Sequence, residues 1–346
     1  MLRSLLPSRR ALLGGLTALA VSLGAHAAPA LADEVIEVGY MPILPVSQLF
    51  VALETGALAE AGLEIELVEF PNGPAMVQAI LAGQLDVAHF GIGPAMVARA
   101  RGADIKVVAA SIREQISFVA LPDLAGAFEG AAPAEAFARF AEENGRPARI
   151  TTFPTGSVPE TVLQHWLRRE LNIDPASLEI IFQGAAQVQQ SLLTGAVDGA
   201  AILEPIVTTT LARVPGSAVV ASGAELFPDQ PGAVLAVREG LIDERPEAVS
   251  ALVSAHAAAT DLLNTDAEGA VDAVQAYVGG GRLPHETVLA ALERSKGAFV
   301  SDPGAIIAGT QVMHDFQAEL GTLKATVDLD ALFETRFHDA LPGSGS

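Results

Sequence analysis

Cysteine is absent from the 346 residues. That excludes disulfides, a thiolate nucleophile and any cysteine-ligated zinc or iron–sulfur centre. Positive charge is scarce: 20 Lys and Arg stand against 41 Asp and Glu, a formal charge of −21. Nucleic acids and anionic membrane surfaces both need a basic footprint, so neither is an expected partner. No Gly-x-Gly-x-x-Gly follows the first strand, and no phosphate loop ending in Gly-Lys-Ser/Thr occurs. His89, His165, His256, His285, His314 and His338 are scattered without a His-x-x-x-His pair, so no metal site is expected. Ser157 sits in Gly156-Ser157-Val158, which is not a nucleophile elbow. No catalytic residue and no cofactor are expected. What the chain does have is hydrophobic residues, 50% of the total, with 18% charged. That composition fits a folded chain, and its length fits two domains.

The first 32 residues read as an address. Arg3, Arg9 and Arg10 are the charges before Asp33, and an apolar stretch runs from Ala11 to Ala25. It is too short for a membrane span, which takes about 20 residues. Ala30-Leu31-Ala32 is a small-x-small cleavage site, and Ser8-Arg9-Arg10-Ala11-Leu12-Leu13 resembles a twin-arginine export signal. Removing residues 1–32 leaves 17 bases against 41 acids, a charge of −24. No second long apolar run follows, so an exported, periplasmic protein is expected. The terminal Gly343-Ser344-Gly345-Ser346 is flexible-linker chemistry.

Two segments share one pattern. Leu63-Glu64-Ile65 precedes Gln78-Ala79-Ile80-Leu81-Ala82-Gly83-Gln84-Leu85-Asp86-Val87-Ala88, and Leu178-Glu179-Ile180 precedes Gln190-Ser191-Leu192-Leu193-Thr194-Gly195-Ala196-Val197-Asp198-Gly199-Ala200. Each reads as strand, helix, glycine C-cap, strand. Such units imply parallel sheets with right-handed crossovers. The expected fold class is α/β, with two hinge-linked lobes, each a mostly parallel sheet flanked by helices. Residues 33–120 open the first lobe, 121–230 form the second, 231–342 return largely to the first, and 343–346 are a tail. Ser117–Leu121 reads as a strand leaving the first lobe, and Ala233–Val237 as the strand that crosses back. Pro133–Asn144 reads as an amphipathic helix closed by Gly145, and Pro159–Leu171 as one helix.

Four junctions hand a strand over to a helix: Phe70-Pro71-Asn72-Gly73-Pro74, Phe90-Gly91-Ile92-Gly93-Pro94, Phe153-Pro154-Thr155-Gly156-Ser157-Val158-Pro159 and Leu203-Glu204-Pro205. In parallel α/β sheets, ligands sit beyond the carboxyl ends of the strands. Helix starts there present free N–H groups and a partial positive charge. The crevice is therefore expected to hold a small anion without Lys or Arg. Glu204 has two readings: capping its own helix, or facing the crevice to meet a donor on the ligand. Gln48 is read as an amide contributor or a solvated helix residue. Phe90, Phe153 and Phe182 are read as apolar walls or core. The candidate ligand-binding set is Met41, Pro42, Gln48, Asn72, Gly73, Phe90, Gly91, Ile92, Gly93, Thr155, Gly156, Ser157, Val158, Gln183 and Glu204.

These residues resemble a known family. Val38-Gly39-Tyr40-Met41-Pro42, Phe50-Val51-Ala52-Leu53-Glu54-Thr55-Gly56, Gly73-Pro74-Ala75, Ala82-Gly83-Gln84-Leu85-Asp86-Val87-Ala88 and Gly195-Ala196-Val197-Asp198 are similar to nitrate/sulfonate/taurine-type ABC-transporter substrate-binding proteins. The family also includes pyrimidine-precursor binders. The resemblance implies a two-lobed periplasmic-binding fold (type II-like) that delivers its ligand to an inner-membrane permease. It further implies ligand contacts at Met41–Pro42, Asn72–Gly73, Gly91–Gly93 and Thr155–Ser157. Leu203 stands where many relatives carry Trp. The expected function is that of an exported, monomeric solute-binding protein for a small anion such as an alkanesulfonate, taurine or nitrate. The alternatives are a neutral or aromatic nutrient on the same fold, an exported sensor domain, or an enzyme on the same scaffold.

Overall fold

The computed structural model describes residues 35–343. The expected export signal and Ser344–Ser346 lie outside the described residues. Among the described residues, short blocks of branched and small apolar residues form ten strands: β1 Ile36–Tyr40, β2 Ile65–Glu69, β3 Val87–Gly91, β4 Ile105–Ala110, β5 Ser117–Ala120, β6 Arg149–Thr152, β7 Glu179–Phe182, β8 Gly199–Ile202, β9 Ala218–Ala221 and β10 Ala233–Arg238. They pair into two sheets of five, ordered β2-β1-β3-β10-β4 and β7-β6-β8-β5-β9. The inner strands β3 and β8 are buried nearly end to end, because helices cover both faces.

The two sheets repeat one plan. In the first, β1 runs parallel to β2 and β3, and β10 lies antiparallel between β3 and β4. In the second, β6 runs parallel to β7 and β8, and β5 lies antiparallel between β8 and β9. Ser117–Ala120 therefore belongs to the second sheet, not to the end of the first lobe. A strand entering from the other sheet can complete this one only in the antiparallel sense. Gly83 and Gly195 take left-handed backbone (φ 70° and 67°), the C-cap conformation their positions predict.

Asp86 and Asp198, one residue before β3 and in the residue preceding β8, do the same work twice. Asp86 accepts the Glu37 N–H at 3.1 Å and pairs with Arg238 at 2.7 Å. Asp198 accepts the Arg149 N–H at 2.7 Å and grips Arg146 through both oxygens at 2.6 and 2.8 Å. Each carboxylate thus ties the start of its sheet's central strand to an arginine.

The helices used below are α1 Ser47–Glu54, α2 Gly73–Leu81, α3 Ile92–Ala100, α4 Pro133–Asn144, α5 Val158–His165, α6 Ala185–Leu193, α7 Ile206–Arg213, α8 Pro246–Thr265, α9 His285–Ser295 and α10 Ile307–Glu319. Helix α4 ends at Gly145 (φ 64°) and buries Ala136, Phe137 and Phe140. Phe137 packs with Phe118, Phe128 and Trp166, so Trp166 is a core residue. The helix expected over Pro159–Leu171 is α5 followed by a π turn at Trp166–Glu170. Helix α8 packs on α1, and no helix among the described residues is long and apolar enough to cross a membrane.

Residues 111–116 and 222–232 carry the chain between the sheets. They run antiparallel and bond to each other. Ser111 N–H donates to Ala233 O at 2.9 Å, and Glu114 N–H to Gln230 O at 3.0 Å. Gln230 is fully buried; its Oε1 accepts the Ile116 N–H at 2.9 Å and its Nε2 donates to Gly223 O at 3.2 Å.

Candidate functional site between the two sheets

The ends of β1, β3 and β6 point at one another, and the turns that follow them meet. A cavity of about 20 Å³ lies there, lined by Met41, Gly73, Phe90, Gly91, Ser157 and Val158 from the sequence-derived set. Ile43, Pro94, Gln115, Phe153, Pro159, Leu203 and Ala233 complete it. The walls are in contact across the cleft. A Cβ on Gly91 would lie 2.8 Å from Val158 Cγ2, and one on Gly93 would lie 2.9 Å from Gln317 Nε2 and 3.2 Å from Gly156 O. Gly91 and Gly93 are glycine because the opposite lobe leaves no room for a side chain. The volume left holds about one water.

The helix starts are less open than the sequence predicts. At α2, Asn72 Oδ1 accepts the Ala75 N–H at 2.9 Å. At α5, Ser157 Oγ accepts the Glu160 N–H at 3.4 Å, and Glu160 Oε2 accepts the Gly156 N–H at 3.2 Å. This is a capping arrangement that uses up the Gly156 and Glu160 donors. At α3, the Ile92 N–H donates to Gly232 O at 2.9 Å. The amides of Gly73, Gly93 and Val158 donate to no group among the described residues. Each stands directly before a proline, 74, 94 or 159, which has no N–H of its own. Three donors from both sides of the cleft thus remain, of which Gly73 and Val158 line the cavity and Gly93 stands beside Val158.

Other members of the set fall elsewhere. Thr155 and Gly156 open onto a neighbouring groove of about 310 Å³ with Arg101 and Lys324. Pro42 lines a larger groove, of about 570 Å³, on another side. Ile92 is fully buried core. Asn72 serves as a cap, and its side chain is spent there. Gln183 Oε1 accepts from Thr151 Oγ1 and Ser191 Oγ, both at 2.9 Å, and fastens β6 to α6. Phe182 is 46% exposed and forms no wall.

Gln48 is corrected most plainly. It is fully buried beneath the first sheet, where Nε2 donates to Ser111 O at 2.6 Å beside His89 and His256. Burial on the sheet side of α1 keeps it from the cleft. Of the two readings of Glu204, the structure has the cap: its carboxylate accepts the Thr208 N–H and hydroxyl, both at 2.9 Å, and pairs with Arg294 of α9 at 3.2 Å.

Two buried carboxyls flank the site. Burial pushes Glu160 up to about 7 against the Gly156 N–H and Arg168. It pushes Glu204 up to about 7 against Thr208 and Arg294. Gln115 is the residue sequence reasoning missed. It lies in the 111–116 crossing, reaches the cavity, and has a buried Oε1 without a hydrogen-bond partner. A lone Gln in a linker carries no motif to single it out.

Known proteins share this plan. A chain of Brucella abortus (strain 2308), named provisionally as a binding protein, is 27% identical over 322 residues, covering 90% of this chain and 95% of that one. The alkanesulfonate-binding protein SsuA from Xanthomonas axonopodis pv. citri, solved bound to MOPS, superposes with a TM-score of 0.70 at 21% identity, over 87% of this chain and 98% of that one. The periplasmic nitrate-binding protein NrtA from Synechocystis PCC 6803 superposes with a TM-score of 0.71 at 17% identity, over 88% of this chain and 87% of that one. The fold is thus the two-lobed fold of periplasmic binding proteins, as the resemblance implies. Residues 30–278 match the family model described as NMT1-like, and the chain belongs to the NMT1-like family.

Proposed function

We propose that this protein is the solute-binding component of an ABC importer and that it captures a small organic oxyanion, a sulfonate or carboxylate, between its two sheets. The observation that carries the reading is the pair of unspent amides at Gly73 and Val158 lining a cavity reached by Gln115 and Ser157, with a third at Gly93 beside Val158. Amides at helix starts bind oxyanions through hydrogen bonds and the aligned dipole. Met41, Phe90, Phe153 and Leu203 give the rest of the cavity an apolar lining, which suits the organic body of such an anion better than bare nitrate. The name of SsuA, an alkanesulfonate-binding protein, is in keeping with this class.

About 20 Å³ is too small for any such solute, so capture requires the walls to part and reclose. The crossings at 111–116 and 222–232 are the natural hinge, and Gln115 couples it to the ligand. Export through the Ser8–Leu13 signal and monomeric work in the periplasm beside an inner-membrane permease complete the proposal, with binding rather than chemistry as the role.

Calorimetric titration of the chain lacking residues 1–32 tests it. Ethanesulfonate, taurine and short carboxylates should bind, and neutral or cationic counterparts should not. Gln115→Leu should weaken binding about tenfold with an unchanged melting temperature, since its amide bonds to nothing else. Binding confined to neutral aromatics would overturn the anion and favour the apolar walls as the recognition surface.

A further inference from the structure

The groove of about 570 Å³ beside the central cavity is built from both sheets: Pro42, Ile43 and Glu69 on one side, α6 and α7 on the other, with the 279–284 turn across its end. Its size falls within the range of small-molecule sites. Arg213 and Arg282 both line it, and neither guanidinium has an ion pair or hydrogen bond among the described residues. Two such arginines on one groove are unexpected in a chain where acids outnumber bases two to one. Thr209, 4% exposed, also lines the groove, and its buried Oγ1 has no partner. Ile206 and Leu283 supply apolar wall, and Glu69 is the acid present, placed with its carboxylate near Tyr40 Oη at 3.4 Å.

We propose that this groove is a second ligand site, for an organic anion with a bulky apolar body, held through Arg213 and Arg282. Guanidinium groups recognise carboxylate and sulfonate in a bidentate fork, which bare amides cannot do. An anion seated there touches both sides of the cleft, so it favours the closed arrangement. The proposal goes beyond the central site and does not need it.

The test is calorimetry of the chain lacking residues 1–32 with 2-naphthalenesulfonate, a bulky aromatic sulfonate. The wild type should bind it, more weakly at high salt, and should bind the uncharged 2-naphthalenesulfonamide far less. Arg213→Gln with Arg282→Gln should weaken the sulfonate about tenfold or more, the loss expected for a charge-assisted hydrogen bond. Both side chains are exposed and partnerless, so the melting temperature should hold. Gln115→Leu and the pair Arg101→Gln with Lys324→Gln should leave the affinity unchanged. The idea is overturned by unchanged affinity in the Arg213/Arg282 variant, by equal binding of the sulfonamide, by loss of binding in either control variant, or by no wild-type binding at millimolar probe. A failed ethanesulfonate titration beside a positive result here would sink the central site alone.

Discussion

Glu160 decides how the site responds to pH. Its carboxyl, raised by burial from 4.5 to about 7 in the folded chain, stays protonated in the fold while the unfolded chain has already ionised. Stability from this group is therefore fully present below pH 4.5 and is lost as pH rises to about 7, by up to about 1.4 kcal/mol per pH unit. Glu204 acts in the same sense. His256 acts in the opposite sense. Burial lowers it from 6.5 to about 4, so its contribution is lost below pH 4 and recovered as pH climbs to 6.5. Glu160→Gln removes one falling contribution, so the variant should gain stability at pH 7.5 relative to pH 5 when compared with the wild type. Parallel melting-temperature profiles for the two proteins would contradict this. Part of the site was legible residue by residue. Gly73, Gly91 and Gly93 stand at helix starts where the chain must approach closely, and the Pro after each unspent amide is visible in the sequence. Gln48, Gln183 and Asn72 were misread because an amide's spacing does not say which face of its element is buried.

At the scale of elements, Asp86 and Asp198 give the clearest comparison. Burial pushes the Asp198 carboxyl up, but the Arg146 bonds, the Arg149 N–H and the two charges outweigh it and hold it below the usual range. Its support is therefore present above pH 3.8 and lost as pH falls below it. Asp198→Asn should cost about 1.5–3 kcal/mol, the value of a charge-assisted hydrogen bond. Asp86→Asn should cost less, because its side chain is 21% exposed against 11% for Asp198 and it faces a single arginine. Urea denaturation of both variants measures the difference, and equal midpoints would refute it. The repeat that pairs these residues was legible, since Gly83 with Asp86 and Gly195 with Asp198 keep the same spacing. The placement of Ser117–Ala120 was not. Pattern marks a strand but not its partners, and pairing is fixed by tertiary contacts.

At the scale of the whole molecule, closure is limited by Gly93. Gly93→Val would drive a side chain into Gln317 and the Gly156 carbonyl. The variant should keep its melting temperature within a few degrees, show a larger radius of gyration in small-angle scattering, and lose affinity for any solute bound between the sheets. An unchanged radius would show that the contact is not the stop. Gln230→Ala tests the hinge itself. It strips the Ile116 N–H of its acceptor in a fully buried position, which costs about 1–3 kcal/mol.

The return of β10 to the first sheet reaches into protein engineering. Residues 117–221 hold all five strands of the second sheet, whereas residues 35–110 lack β10, so expressing 35–110 alone would leave β3 and β4 with unpaired edges that invite aggregation. Chimaeras with relatives must transplant β1 to β4 together with β10 and the chain beyond it, in two pieces.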